Sequence, residues 1–168
     1  TAAVTATRSA TALSRVPLSV AAISQQQMES RGVRDFGDMT RFTPGINFSE
    51  SASGNNNVAI RGISSSAGAS TTGVYVDETP IQVRQVGYTA GTLMPSLFDL
   101  DRVEVLRGPQ GTLFGSGSQG GTVRFIQPAP SFSEYSGRAR AEVGSIRGGG
   151  TDYELGAAVG GPIVQDVL

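Results

Sequence analysis

The chain has 168 residues, a net charge of −1, and neither Cys nor His. That length supports one domain with its own core, while the charge offers no basic field for nucleic acid. Without Cys or His there is no disulfide framework, no thiolate metal site, no usual general base and no ordinary catalytic triad.

All 13 cationic residues are Arg, the side chain suited to planar, bidentate and partly buried pairing with carboxylates. Gly accounts for 23 residues, roughly twice the ordinary usage of about 7%. This describes short elements and many turns rather than a helical bundle. No apolar run reaches the ~18 residues of a membrane-spanning helix. The start, TAAVTATR, lacks the basic and apolar regions of a signal peptide, which reads as a cytosolic protein or as a processed or excised piece.

Residues 1–15 are rich in Thr, Ala and Ser and read as an extended N-terminal arm. VPLSVAAIS (16–24) is a first strand, with Pro17 at its beginning. Ser24 and Gln27 form a capping box that opens a short helix over 25–30, and Gly32 is placed to end it. A second helix starts at Asp35, with Phe36 and Met39 on one face. Thr43-Pro44-Gly45 is a turn, and 46–48 is a brief strand. VAIRG (58–62) reads as a strand carrying one Arg. The strands 74–76 and 81–83 flank Asp77-Glu78-Thr79-Pro80 as a hairpin candidate. Polar loops occupy 49–57, 64–73 and 84–92, and long loops on a scaffold are where binding usually sits. Residues 95–100 read as a helical turn.

The densest stretch is 102–126, RVEVLRGPQGTLFGSGSQGGTVRFI. A charged strand, 102–106, is stopped by Gly108-Pro109. A turn or short helix follows over 109–114. Gly115, Gly117, Gly120 and Gly121 lead into an apolar run, 122–126. Gly115, Gly117 and Gly120 spell GxGxxG, but no helix follows them, so a dinucleotide site is excluded. A P-loop needs a Lys, and no GxSxG elbow is present. Asp99 and Asp101 read as a solvated turn or cap rather than a metal site, and Asn47-Phe48-Ser49 matches a glycosylation acceptor only by letter. No enzyme, cofactor or metal site is expected.

Arg102 and Glu104 read as outward charges on half-buried strands. Arg61 and Arg107 each stand just before a Gly, in IRG and LRG. A buried guanidinium needs a carboxylate partner, and local acids are few. Their partners are expected from a part of the protein outside this chain.

After Pro128-Ala129-Pro130 the pattern changes. In 136–145 and 153–160, small apolar residues alternate with charges and Gly. Two readings remain open: strands of a membrane β-barrel, which run ~9–11 residues, or a solvent-exposed antiparallel hairpin. Without neighbours on either edge the pair is expected to be disordered or to pair with another chain.

VTATR (4–8), VPLSVAAIS (16–24), TPGI (43–46), VAIRGI (58–63), VYVDETPI (74–81) and RVEVLRGPQGTLFGSGSQGGTVRFI (102–126) occur in the order seen in the plug domain of TonB-dependent outer-membrane receptors. The resemblance covers about 4–130. It implies an α+β fold: a small plug domain with a mixed four-stranded sheet and short helices over 16–130, then a β-hairpin over 131–168 from a ~22-stranded transmembrane barrel. The implied function is the gate of an active transporter in the outer membrane of a Gram-negative bacterium, taking up a scarce ligand such as a ferric siderophore. The implied partners are the protein's own C-terminal barrel and the TonB energy-transducing complex, engaged through an N-terminal segment mostly upstream of this chain. A stand-alone periplasmic or extracellular binding or signalling module on the same fold is the alternative.

Carried over from the family, Arg61 and Arg107 resemble the plug arginines that pair with barrel glutamates, and Arg102 and Glu104 are grouped with them as plug–barrel locking residues. Asn55, Asn56, Asn57, Arg84, Gln85 and Tyr88 are the expected ligand-facing residues. Gly108, Pro109, Gly115, Gly120 and Gly121 are the expected structural turns. Two positions depart from the family's commonest pattern. Asp77-Glu78 stands where Asp-Gly is frequent, which predicts a longer turn of another type. TVRFI (122–126) stands where INIIT is frequent, which introduces Arg124.

Overall fold

The computed structural model describes residues 3–5, 11–12, 16, 18–50, 56–65, 69–81, 94–145 and 148–164. They fall into two units, Thr1–Gln127 and Pro128–Leu168.

The first unit begins with two short strands, β1 (Ala3–Val4) and β2 (Thr11–Ala12), paired antiparallel. β3 (Ser19–Ser24) runs directly into α1 (Gln25–Ser30). Ser24 closes the capping box: its Oγ accepts from Gln27 N at 3.3 Å, while Gln27 Oε1 accepts from Ser24 N at 3.1 Å. α2 (Phe36–Arg41) is capped by Asp35, whose Oδ1 accepts from Asp38 N at 2.7 Å. Phe36 and Met39 face inward as their spacing requires.

β4 (Ile46–Ser49) and β5 (Asn57–Ile60) form an antiparallel pair. β5 ends earlier than the sequence suggests. Arg61 and Gly62 take φ of +54° and +78°, and the chain doubles back so that Ile60 bridges Ile63. Arg61 is therefore a turn residue, not a strand residue.

The central sheet contains β6 (Thr72–Val76), β7 (Thr79–Pro80), β8 (Arg102–Arg107) and β9 (Gly121–Ile126) with β3, in the order β3-β8-β9-β6-β7. It is mixed, as expected, because β6 and β9 are parallel while the other pairs are antiparallel. The very short β7 adds a fifth strand at one edge. α3 (Gly111–Phe114) lies in the β8–β9 connection.

Two expectations are corrected here. The Asp77-Glu78 turn is not a longer one: Val76 pairs with Thr79, leaving a two-residue loop. Asp77 takes the positive φ, +50°, so Glu78 is spared the left-handed conformation. Residues 95–100 contain no helical turn. Asp99 adopts φ +55°, and Leu97 and Leu100 instead tuck into the core as an irregular segment.

Strand alternation divides the core in two. On one sheet face Val103, Val105, Val123, Phe125 and Val74 pack with Met28, Phe36, Met39 and Leu97. Phe36 meets Phe48 edge to face at 5.2 Å. On the other face Leu106 and Tyr75 pack with Phe114, Val16 and Val4. Each such fully buried apolar side chain contributes about 1.5–3 kcal/mol.

The second unit is a hairpin of β10 (Ser136–Ser145) and β11 (Thr151–Gly160), paired antiparallel along their whole lengths. The expected disorder is not seen, because the two strands pair with each other. The two strands are close in sequence, so closing them costs only a short loop, and each satisfies one edge of the other. Gly137, Ala139, Ala141 and Val143 lie opposite Val159, Ala157, Leu155 and Tyr153, all on one face. Arg140 lies on the other face and pairs with Glu142 at 2.8 Å. Val143, Tyr153, Leu155 and Val159 remain exposed.

Candidate functional site

Arg107 closes β8 opposite Ser19 on one side and Gly121 on the other. Arg61 reaches the same place from the β5 turn, anchored by its N–H donating to Gly45 O at 2.7 Å. A Cβ added at Gly45 would lie 3.8 Å from Arg107 Cδ and 4.0 Å from Arg61 Cγ; one added at Gly108 would lie 3.6 Å from Arg61 Nη1. The two arginine stems thus flank Gly45, and the Arg61 guanidinium lies beside Gly108. Arg107 Nη1 donates to Ser19 Oγ at a long 3.5 Å, and its buried Nε has no hydrogen-bond partner. Among the described residues neither guanidinium is in an ion pair. Both cations therefore lack a carboxylate partner among the described residues, which buried guanidiniums ordinarily have.

The β8–β9 connection holds this site in place. Gly108 N donates to Gly120 O at 2.9 Å and Gln110 N to Ser118 O at 2.8 Å, closing the loop that contains Pro109, α3 and Gly115. Gly121 needs to be Gly because a Cβ there would sit 2.3 Å from Leu106 O.

Arg102 and Glu104 behave differently from Arg61 and Arg107, and the reading of them as outward charges is corrected. Glu104 is fully buried. Its Oε1 accepts from Arg102 Nε at 2.7 Å, and its Oε2 accepts from Arg124 Nη1 at 3.1 Å. Arg102 also pairs with Asp101. Strand register explains this directly, since Glu104 stands opposite Arg124 in the β8–β9 pair. Arg124, 1% exposed, donates through Nη2 to Glu78 Oε1 at 2.5 Å and to Asp77 O at 3.2 Å. Its guanidinium lies 5.5 Å from the Phe114 ring centroid, a cation–π contact.

The N-terminal arm completes this second cluster. Thr5 N donates to Glu104 Oε1 at 2.8 Å. Arg124 Nη1 donates to Thr5 O at 2.7 Å and to Thr5 Oγ1 at 2.8 Å. Sequence reasoning noted Arg124 only as a departure and missed Thr5 and Glu78. The available signal was a pair of opposite charges, each flanked by apolar residues in strands joined through one glycine-rich turn.

Of the expected ligand-facing residues, Asn55, Arg84, Gln85 and Tyr88 lie outside the described residues. Asn57 ties two loops together, its Nδ2 donating to Ser65 O at 3.2 Å. Asn56 has a buried, unpartnered Oδ1. Among the described residues no three acidic side chains converge as a metal site, and no helix is long and apolar enough to cross a membrane.

The chain thus combines a small α+β unit, carrying two arginines that make no ion pair among the described residues, with a hairpin that has one apolar and one charged face. The chain belongs to the family described as the TonB-dependent receptor plug domain, whose model matches residues 12–122. It is 34% identical over 161 residues to the ferripyoverdine receptor of Pseudomonas aeruginosa, covering 96% of this chain and 18% of that protein. It is 30% identical to the ferrioxamine B receptor of Salmonella typhimurium, covering 76% and 18%. Among solved structures, the pyoverdine outer-membrane receptor of P. aeruginosa bound to pyoverdine superposes with a TM-score of 0.77 at 31% identity, covering 96% of this chain and 22% of that one. The ferric yersiniabactin uptake receptor of Yersinia pestis gives 0.67 at 29% identity, covering 90% and 22%. The chain therefore spans about a fifth of the length of these relatives.

Proposed function

We propose that this chain is the gate of an outer-membrane transporter for a ferric siderophore or similar iron complex. The observation that carries the reading is the Arg61–Arg107 site. Two arginine stems meet beside Gly45 with no carboxylate paired to either among the described residues, as a plug needs if acidic groups of a surrounding barrel are to hold it. The hairpin supports the same reading. Its exposed apolar face, with Val143, Tyr153, Leu155 and Val159, suits lipid, and its charged face suits a lumen. Relatives named for ferripyoverdine and ferrioxamine B favour an iron chelate as cargo.

In this reading the plug occupies the barrel lumen in the outer membrane of a Gram-negative bacterium. An energy-transducing partner of the TonB type draws on the N-terminal end of the chain, and the plug moves to let the ligand pass. Binding and movement, not bond-breaking, are the work of this domain.

The test is uptake by a strain whose receptor gene has been deleted and then restored. Under iron limitation, radio-iron supplied as pyoverdine-type, hydroxamate and catecholate chelates is expected to enter only the restored strain for at least one class. Equal uptake of every chelate by both strains overturns the iron reading, and parallel assays with cobalamin and oligosaccharides identify another cargo.

A further inference from the structure

We infer that the outer edge of β4, with α2 beside it, is a docking groove for an extended, basic segment of a partner protein, which adds a third strand to the β4–β5 pair. The register fixes which backbone groups are on offer. Arg61 N donates to Gly45 O at 2.7 Å, so in this ladder Asn47–Ala59 and Ser49–Asn57 are the hydrogen-bonded pairs. Ile46–Ile60 and Phe48–Val58 are the pairs that exchange no bonds, so the backbone groups of Ile46 and Phe48 face away from β5. The Ile46 N–H is taken by Thr43 O at 3.4 Å, while the N–H and C=O of Phe48 have no partner among the described residues. Ile46 C=O, Phe48 N–H and Phe48 C=O therefore form a short free edge of the kind that accepts another strand.

A cavity of about 470 Å³ lies against this edge, lined by Asp35, Gly37, Asp38 and Arg41 of α2 and by Phe48 and Glu50 on the other side. No residue of β5 lines it, so it sits on the free side of β4. Helix and strand approach closely at Gly37, where a Cβ would lie 3.4 Å from Phe48 Cδ1. A strand entering here gains main-chain hydrogen bonds from Phe48 and Ile46, and every second side chain turns toward α2. The charge on that side is acidic: Asp35, Asp38 and Glu50 outweigh Arg41, which is engaged with Asp38 at 3.2 Å. Lys or Arg at alternate positions complements it, the aliphatic stem lying over the half-buried Phe48 ring and the charge reaching the carboxylates. A second copy of this chain is a poor occupant, because pairing β4 with itself brings the same acids together.

The groove stands apart from the transport reading. Exchange at one amide reads the groove and iron uptake reads the transport, so either can fail alone.

The test is NMR-detected hydrogen exchange of the isotope-labelled chain with the peptide acetyl-Lys-Thr-Lys-Thr-Lys-Thr-amide and with its Glu-Thr counterpart. At saturation the Lys-Thr peptide is expected to slow exchange of the Phe48 amide about 10-fold or more. The Asn47 and Ser49 amides, already bonded to β5, are expected to stay unchanged. The Glu-Thr peptide is expected to bind at least about 10-fold more weakly. Glu50→Lys, at an exposed position, is expected to weaken the Lys-Thr peptide about 5-fold. Equal binding of the two peptides, or binding that leaves the Phe48 amide unprotected, overturns the proposal. Phe48 protection that rises with protein concentration in the absence of peptide also overturns it, and identifies a second copy as the occupant.

Discussion

Arg124 and Glu78 form an ion pair at 2.5 Å that joins the two positions where this chain departs from its family's commonest pattern. One departure places an arginine in an apolar strand; the other places a glutamate in a tight turn usually ending in Gly. Each is unfavourable alone. Together they supply the buried guanidinium with a second carboxylate at the mouth of its pocket.

The two acids facing Arg124 should therefore differ in weight. Arg124→Met leaves Glu104 buried with one cation fewer and should cost about 3–5 kcal/mol in urea unfolding. Glu78→Gln removes a partner that is 53% exposed and should cost no more than about 1 kcal/mol. Replacing both buried ions, as Glu104→Leu with Arg124→Met, should recover much of the first loss. Equal costs for Arg124→Met and Glu78→Gln would show that burial does not decide the energetics here.

Arg107 should matter little to this chain alone. Its long contact to Ser19 and unpartnered Nε predict a loss below about 1 kcal/mol for Arg107→Ala. In the whole receptor the same change, combined with Arg61→Ala, should loosen the plug and raise passive entry of a bulky antibiotic such as vancomycin. A loss of several kcal/mol in the isolated chain would mean that Arg107 has an internal partner.

Two glycines should respond in opposite directions. Gly121→Ala drives a Cβ to within 2.3 Å of Leu106 O and 2.8 Å of Ile60 Cδ1, so a loss of about 3 kcal/mol or more is expected. Gly111→Ala meets nothing within 4 Å and should stabilise by about 0.4–1 kcal/mol through the unfolded state. Thermal unfolding of the two variants checks both signs.

Within the membrane reading the hairpin's faces are not equivalent. Leu155→Arg, on the apolar face, should lower the outer-membrane folding yield of the receptor, at a cost of about 2–4 kcal/mol if the position lies near the bilayer midplane. Ala158→Glu, opposite Arg138 on the charged face, should be tolerated because the new charge is opposite in sign to its neighbour. Equal yields for the two variants count against placing that apolar face in lipid.

Local chemistry was readable from the sequence, and pairing across the sheet was not. Ser24 with Gln27, and Asp35, announce both helices because caps act over three residues. The strand cores around Val103 and Val123 were visible as apolar runs. Glu104 was misjudged because alternation says which residues share a face but not what covers that face. Here the cover is α3 and an arm from the other end of the chain. Residues 95–100 read as a helical turn, yet Leu97 and Leu100 reach the core from an irregular segment. Of the candidate ligand residues only Asn56 and Asn57 are described, and Asn57 is engaged in holding its own loop.

The arrangement also sets an order of events in folding. Ser19 pairs with Arg107, and Thr5 finds Arg124 119 residues further along. Such non-local closures are slow to form. A chain emerging N-terminus first cannot complete this sheet until β8 and β9 have both appeared, and Thr5 cannot be fixed before Arg124. The nascent arm must therefore be kept from other strand edges while it waits. The ordering of Thr5 thus waits on a strand that lies more than a hundred residues further along the chain.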